Sequence, residues 1–314
     1  MSEIELHRKL LGDHDRNAAF HRALQLSIRP GETTVLDIGA GTGFLSFLAR
    51  RLGAKQCTLI EYTDALDLAE SLARTNRIDG LSFIRGHSSE IKRALKVDLV
   101  VTETLGNFAL EENFLETAID ARRFLKKEGL ILPGRLRQYV APVTRPRLQQ
   151  DLDIWPGVGF DLDLRPARAI SLNNMYVRSI APADLGGSAS GAKLWDDLDV
   201  RPQATAPKSR RSRSLRWAAG TVGPEVHGFA LWWEAELLEG IVLSTSPFAP
   251  PTHWEQIYLP LLEPLHLQTT DSIELELTCD TRPDIGVRLQ WQTRVLRARQ
   301  LLLEQAQDSW RGRL

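Results

Sequence analysis

Two glutamates, Glu103 and Glu112, stand nine positions apart in the stretch TETLGNFALEENFLE, with a Gly-Asn pair and the apolar residues Phe108, Ala109 and Leu110 between them. Two carboxylates facing one cleft repel each other unless a cation sits between them or one of them holds a proton. A planar guanidinium meets that need, because its fork of N–H donors can bond both groups at once. Glu103 follows VDLVVT, which reads as a strand, and open α/β sheets bind ligands at the carboxyl ends of their strands. Glu112 opens ENFLETAIDARRFL, which reads as a helix with Leu115, Ala118, Ile119 and Leu125 turned to the sheet. Taken singly, Glu112 would merely favour a helix N-terminus by about 0.3–1 kcal/mol, and Glu103 would be a solvated edge residue. The pair is what suggests chemistry.

A second constellation lies upstream. The apolar run Val35 to Ile38 leads straight into Gly39, Gly41 and Gly43 and then into a helical period. Such a turn lets a ligand approach backbone N–H groups closely. A dinucleotide fingerprint needs G-x-G-x-x-G, whereas here the spacing is G-x-G-x-G with Phe44 next, which weakens the case for a pyrophosphate. Glu61 ends the following strand, CTLIEY, where such sheets set a carboxylate against ribose hydroxyls. An uncharged adenosine half fits both features. With Asp37 ahead of the turn, the pattern D-x-G-x-G-x-G followed by an acidic strand end is common among S-adenosylmethionine-dependent methyltransferases. The bland alternative is a tight strand-to-helix turn with an incidental glutamate at its rim.

These groups have to be positioned by something. From Thr33 to about Leu132, short apolar runs alternate with helical periods, the signature of an open parallel sheet covered on both faces. Before it, HRKLLGDHDRNAAFHRALQL spaces Leu10, Leu11, Ala18 and Leu24 as one or two capping helices would. After Pro133 the runs RQYVAPV, VHGFALWWEAEL, IVLSTSP, SIELELTC and VRLQWQTRV have high β-propensity and are separated by turn residues. The expected organisation is therefore leading helices over 1–32, a Rossmann-like α/β domain over 33–133 and a mainly antiparallel, barrel-like domain over 134–314. Residues 171–191 read as an excursion from that β core, and the basic run PKSRRSRSLR (207–216) as a solvated loop rather than a nucleic-acid patch, since it lacks interleaved aromatics.

The whole chain of 314 residues balances 39 Lys and Arg against 40 Asp and Glu, so no global field draws it to nucleic acid or anionic lipid. Cys57 and Cys279 lie far apart in apolar runs without metal-ligand spacing, which predicts no metal site and a reduced, cytoplasmic setting. No apolar window reaches the roughly 18 residues needed to span a bilayer.

The constellation resembles the protein arginine methyltransferase family. Glu103 and Glu112 match the family's two-glutamate hairpin in spacing, with Gly106 between them. HRKLLGDHDR resembles its leading-helix motif at His7, Leu11, Asp13 and Arg16, THW at 252–254 resembles its Thr-His-Trp loop, and WPGVGFDLDL resembles the segment leading into its dimerisation arm. The resemblance implies S-adenosylmethionine as cofactor, held by His7, Arg16, Asp37, Gly39, Gly41, Gly43, Glu61, Ser88 and Ser89, with Arg16 on the methionine carboxylate. It implies catalysis by Glu103, Glu112, His253 and Asp13, an acceptor guanidinium bound by Glu103, Glu112 and Trp254, and a homodimer formed through an arm at 167–190. The acceptor is expected to be protein arginine, with free arginine or a guanidine-containing small molecule as the second reading and a catalytically weak scaffold as the third.

The chain also departs from the family pattern. Only MSEIEL precedes His7, where members usually carry a Tyr-Phe-x-x-Tyr helix, so that lid is expected to be absent or supplied by another chain. Leu10 and Phe114 stand where two methionines shape the product of asymmetric dimethylating members, so product type does not carry over. Asn107 replaces an aromatic residue, and Ser88-Ser89 an acidic one.

Overall fold

The computed structural model describes residues 3–92, 95–186 and 188–313; the first two residues of MSEIEL, Gly187 within the 167–190 segment, and positions 93, 94 and 314 lie outside that description. Two helices lead the chain, α1 (Glu3–Leu11) and α2 (His14–Ser27). They are separate because Asp13 caps α2: its side chain accepts a hydrogen bond from the backbone N–H of Arg16, one of the donors a helix start leaves unpaired. The buried stripe of α2 is Arg16, Phe20, Ala23 and Leu24; Ala18, expected on that face, is exposed.

The α/β domain then runs β1 (Thr34–Ile38), α3 (Phe44–Arg51), β2 (Gln56–Glu61), α4 (Ala65–Thr75), β3 (Leu81–Arg85), β4 (Val97–Thr102), α5 (Phe114–Ala121) and β5 (Leu125–Leu132). Its strands order as β3-β2-β1-β4-β5, all parallel. The order reverses between β1 and β4, and this switch point is where open sheets leave a crevice. The glycine turn follows β1 and Glu103 follows β4, so both border that crevice.

Two expectations change here. Glu112 does not begin a helix: α5 starts at Phe114, behind Asn113 in the left-handed conformation (φ 58°). Glu112 therefore sits in the turn before the helix, with its side chain free of helical geometry. Leu125 belongs to β5 and not to the helix, because the chain tightens into a 3-10 turn at Arg122–Phe124 and then extends.

The second domain contains β6 (Arg135–Val143), α6 (Arg147–Leu152), α7 (Arg165–Ser171), β7 (Tyr176–Arg178), β8 (Lys193–Asp199), β9 (Arg210–Ala218), α8 (Ala219–Val222), β10 (Glu225–Leu238), β11 (Ile241–Ser244), β12 (Gln256–His266), β13 (Asp271–Asp280), β14 (Arg288–Arg297) and β15 (Gln300–Asp308). One antiparallel sheet orders β7-β12-β10-β6-β8, with β11 on β10, and a second orders β15-β14-β13-β9. Hydrogen bonds such as Trp291 Nε1 to Pro260 O tie the sheets together, and one core runs from the α/β sheet through both of them.

The basic run is not a loop. It forms β9, paired along its length with β13, because Leu215 and Trp217 turn inward. Two of its charges are met locally: Arg211 bonds Asp196 at 2.9 Å and Arg216 lies 3.8 Å from Glu274. That pairing weakens the electrostatic footprint a nucleic-acid site needs. Within the 167–190 segment Leu172, Ile180 and Leu185 are buried, while most of the other described residues are partly or fully exposed. Exposed apolar residues occur earlier, at Ile154, Val158, Phe160 and Leu162.

Candidate active site

The glycine turn has the backbone its sequence demands. Gly39, Gly41 and Gly43 all take positive φ, at 71°, 50° and 80°, a region in which L-residues with a Cβ are strained. Space is as restrictive as the dihedrals. A Cβ on Gly39 would lie 2.8 Å from Thr104 Cγ2, and one on Gly41 would lie 2.7 Å from His7 Cε1. His7 thus reaches from α1 to lie against the turn.

Glu61, at the end of β2, is buried and held by two backbone donors, Gly41 N–H to Oε2 at 2.9 Å and Thr63 N–H to Oε1 at 2.8 Å. Asp37 behaves differently from what its place in the motif suggests. It accepts from Ser46 Oγ at 2.8 Å, so it turns inward to brace the start of α3 rather than outward to a ligand. Burial, against the opposing hydrogen bonds from Ser46, raises its carboxyl to about 6.

Ser88 and Ser89 form a 3-10 turn after β3, Ser88 buried and Ser89 exposed. Arg123 donates to the carbonyls of Ser88 (2.6 Å) and Ile91 (2.7 Å), fastening this turn to the end of α5. Beside it Tyr62 and His87 stack at 4.5 Å between ring centroids. Neither Arg123 nor this stack stood out in the sequence, since nothing local pairs residues so far apart.

Across the crevice, Asp13 joins α2 to the loop before β12. Its Oδ2 accepts from the backbone N–H of His253 and bonds the ring Nδ1, each at 2.8 Å. Burial pushes the Asp13 carboxyl up, but hydrogen bonds from Arg16 and His253 outweigh it and hold the group below its ordinary value. An ionised carboxylate only accepts, so Nδ1 carries the proton and Nε2 keeps its lone pair. Burial lowers the His253 pKa despite the opposing pull of Asp13 and Glu103, which keeps the ring neutral near pH 7.

Glu103 is buried and carries an ion pair that the sequence did not announce: Arg16 Nε donates to its Oε2 at 3.1 Å, and Arg16 Nη2 bonds the same oxygen. Glu112, on the outer side of the hairpin, is raised to about 7, by burial first and then by the charges of Glu103, Glu111 and Glu61. The residue is solvent-exposed, so water screens part of the burial effect; the upward direction stands on the three neighbouring carboxylates as well. The Glu103 charge is one of the causes that raise Glu112 across the hairpin.

Trp254, expected to touch the acceptor, is buried, and its indole N–H donates to Leu105 O at 2.8 Å. It braces the hairpin instead of presenting a donor to the cleft. Asn107 accepts the backbone N–H of Glu255 at 2.8 Å, and Trp233 Nε1 donates to Gly106 O at 3.1 Å. Trp233 was missed because it looks like any other apolar strand residue. Among the described residues no group of His, Cys, Asp and Glu is placed to hold a metal ion.

Comparison with known proteins agrees with this geometry in both domains. The family described as arginine methyltransferase oligomerization subdomain matches residues 136–294, and a methyltransferase domain family matches residues 31–155. Protein arginine N-methyltransferase 6 of Xenopus tropicalis is 30% identical over 291 residues, covering 88% of this chain and 84% of that protein. The protein of the same name from Danio rerio is 28% identical over 289 residues, covering 88% and 82%. Among solved structures, the Trypanosoma brucei PRMT1 enzyme-prozyme heterotetrameric complex with AdoHcy superposes with a TM-score of 0.81 at 22% identity, covering 96% of this chain and 97% of that one. Arabidopsis thaliana protein arginine methyltransferase 10 gives 0.79 at 21%, with the same coverage. Similarity of this extent, sustained through both domains, means that this chain belongs to the protein arginine methyltransferase family.

Proposed function

We propose that the protein transfers a methyl group from S-adenosylmethionine to a guanidinium nitrogen of arginine in a protein. The observation that carries the reading is the pair Glu103 and Glu112, two carboxylates on one hairpin after β4 at the switch-point crevice, together with the Asp13–His253 bridge. The donor set fits the cofactor. A glycine cradle without room for a Cβ, the buried carboxylate of Glu61 and the cation of Arg16 suit an adenosine with a charged amino-acid tail and no phosphates. His7 and the Ser88-Ser89 turn would border it, Asp37 supporting the turn from behind.

When bound, S-adenosylmethionine supplies an electrophilic methyl group on a sulfonium. The chain's own residues do the rest by positioning and electrostatics. Glu103 and Glu112 accept N–H bonds from the acceptor guanidinium and orient one nitrogen for in-line attack. Arg16 compensates part of the Glu103 charge, which leaves Glu112 as the stronger anchor for the incoming cation. Methylation leaves one proton in excess on the nitrogen. His253 Nε2, with Nδ1 committed to Asp13, can accept it, and the same bridge holds α2 against the loop.

Incubation of the full chain with cofactor and an acceptor panel of arginine-containing peptides, free arginine and guanidine compounds, read by mass spectrometry, tests the proposal. Mass gains of one methyl unit on peptide arginine are expected; gains confined to free arginine would move the substrate to a small molecule, and none at all would sink the activity. Gly41→Ala, strained by φ and by His7, is expected to weaken cofactor binding about tenfold in calorimetry, in line with the roughly 1–2 kcal/mol of the left-handed region.

Assembly as a homodimer is part of the same reading. Ile154, Val158, Phe160 and Leu162 are exposed apolar residues close together in the chain, and a concavity of about 300 Å³ on the α/β domain, mainly apolar through Leu11, Phe44, Phe47 and Leu72 with Thr42, Arg51 and Asn76 also lining it, offers a seat for them. In this reading these residues act together with the 167–190 arm that follows them. Phe160→Ser should weaken dimerisation about tenfold or more in analytical ultracentrifugation, as loss of an aromatic anchor does. A cytoplasmic location is proposed on the two cysteines: both are free and buried, their thiols raised by burial to about 12, as suits a reducing compartment.

A further inference from the structure

Between its two glutamates the hairpin turns through Leu105, Gly106 and Asn107, and each of these consecutive residues accepts a hydrogen bond from the second domain. Trp254 Nε1 serves Leu105 O, Trp233 Nε1 serves Gly106 O, and the Glu255 backbone serves Asn107 Oδ1. The two indoles support one another edge to face, with centroids 4.9 Å apart and planes at 70°. Trp233 is fully buried on β10, between β6 and β12, and its backbone N–H and carbonyl are both bonded to Thr245. It is a donor with little freedom to move. The acceptor side is close-packed as well, since a Cβ on Gly106 would lie 2.9 Å from Glu111 Cβ and 3.1 Å from the Phe108 carbonyl oxygen.

We infer that Trp233 is a positioning residue for the acceptor site: its indole N–H, acting through the Gly106 carbonyl, sets how Glu103 and Glu112 stand relative to each other. The inference rests on the arginine-methylation reading for what the two glutamates hold, but the geometry it concerns exists without any acceptor. Glu103 is anchored independently, by its place after β4 and by Arg16. Among the described residues Glu112 has no ion pair of this kind; its place follows from the path of the turn and from the buried Phe108, Ala109 and Leu110 that carry that path onward. Letting Gly106 drift would therefore move Glu112 away from Glu103 while leaving Glu103 in place. The groups facing Glu112 are Glu103 after β4, Glu111 beside it and Glu61 at the end of β2, with Arg16 on α2 and His253 before β12 on the far side of Glu103. Separation from Glu103 removes like-charge repulsion, so Glu112 should then lose its proton at lower pH.

The test compares the wild-type chain with Trp233→Phe, which keeps a buried ring, deletes the donor and leaves a small cavity, and with Asn107→Leu, which cuts the neighbouring tie without touching the core. Both are expected to lower kcat about tenfold, the scale of a misplacement below one ångström. In both, KM for S-adenosylmethionine should stay within about twofold, and the acid limb of the pH–rate profile should move down by about half a pH unit or more. Titration of the Glu112 side-chain carboxyl by carbon-13 NMR, assigned with Glu112→Gln, must shift in the same direction and needs no turnover. Wild-type kcat and an unmoved Glu112 titration in Trp233→Phe would overturn the inference. So would a lowered melting temperature with an unmoved titration, which would make Trp233 a core residue only. If the wild-type chain methylates no guanidinium at all, the functional reading fails, and the carboxyl titration still decides whether Trp233 positions the hairpin.

Discussion

Glu112→Gln lowers methyl transfer by about 10²–10³-fold, the scale on which removal of one preorganised electrostatic contact acts, while cofactor binding measured by calorimetry stays within about twofold. Glutamine keeps the shape and one acceptor oxygen but not the charge, so the cationic acceptor loses its stronger anchor. The pH dependence sharpens the expectation. Glu112 must be ionised to hold a guanidinium, and its pKa is raised to about 7, so kcat/KM climbs as pH rises through about 7. In the acceptor complex the bound cation favours the ionised form, so the limb in kcat lies lower. Glu112→Gln should show no limb from this group. Stability moves the other way. A carboxyl whose folded pKa lies above its ordinary 4.5 binds more protons in the folded state, so the wild-type chain loses stability as pH rises from 4.5 to about 7. The variant escapes that loss and should be more stable above pH 7, by an amount on the order of 1 kcal/mol once screening at an exposed residue is allowed for. A variant equally active, or one less stable at pH 8 than at pH 5 relative to wild type, would contradict the role given to Glu112.

Arg16→Met has the largest expected effect on the fold. It leaves Glu103 buried without its cation, and breaking a buried ion pair from one side typically costs about 3–5 kcal/mol. Arg16 and Glu103 are both nearly inaccessible to water, so little screening softens that cost. Urea unfolding should show it directly. Because Arg16 is also the group assigned to the charged tail of the cofactor, binding should fail in the same variant. Glu103→Gln strips the pair from the other side, so it is a poorer probe of catalysis than Glu112→Gln: it mixes lost orientation with a stranded guanidinium. Combining Arg16→Met with Glu103→Gln removes both charges and should recover part of the stability and none of the turnover. If each single variant unfolds at the wild-type urea concentration, the pair is not the fastener its burial indicates.

Much of the site was legible because its signals are local. A strand that runs into Gly-x-Gly-x-Gly needs positive φ at the glycines whatever surrounds it, and Gly39, Gly41 and Gly43 have it. Alternating strand and helix periods predict a parallel sheet, and its switch point brings the glycine turn and Glu103 to one crevice. The β-rich second domain was visible in propensity, yet β7, β8, β9, β12 and β15 were not singled out. In β9 four arginines conceal the alternation that Leu215 and Trp217 still carry, and the acidic partners of Arg211 and Arg216 lie on β8 and β13.

Read alone, the sequence determines which residues are able to hold a nucleoside and a guanidinium, and in what order the chain supplies them. Their types and short-range spacing follow from backbone geometry and side-chain chemistry that each segment carries with it. Only the tertiary structure decides which of them act directly and which act through others. Asp37 turns from the crevice to Ser46, Trp254 is consumed by Leu105, Arg16 closes on Glu103, and Trp233 and Asn107 become the fasteners of the turn between the glutamates. These outcomes depend on donors and acceptors separated by up to 149 positions. Burial obliges each such group to find a partner, and which partner lies within reach is settled by packing between the domains.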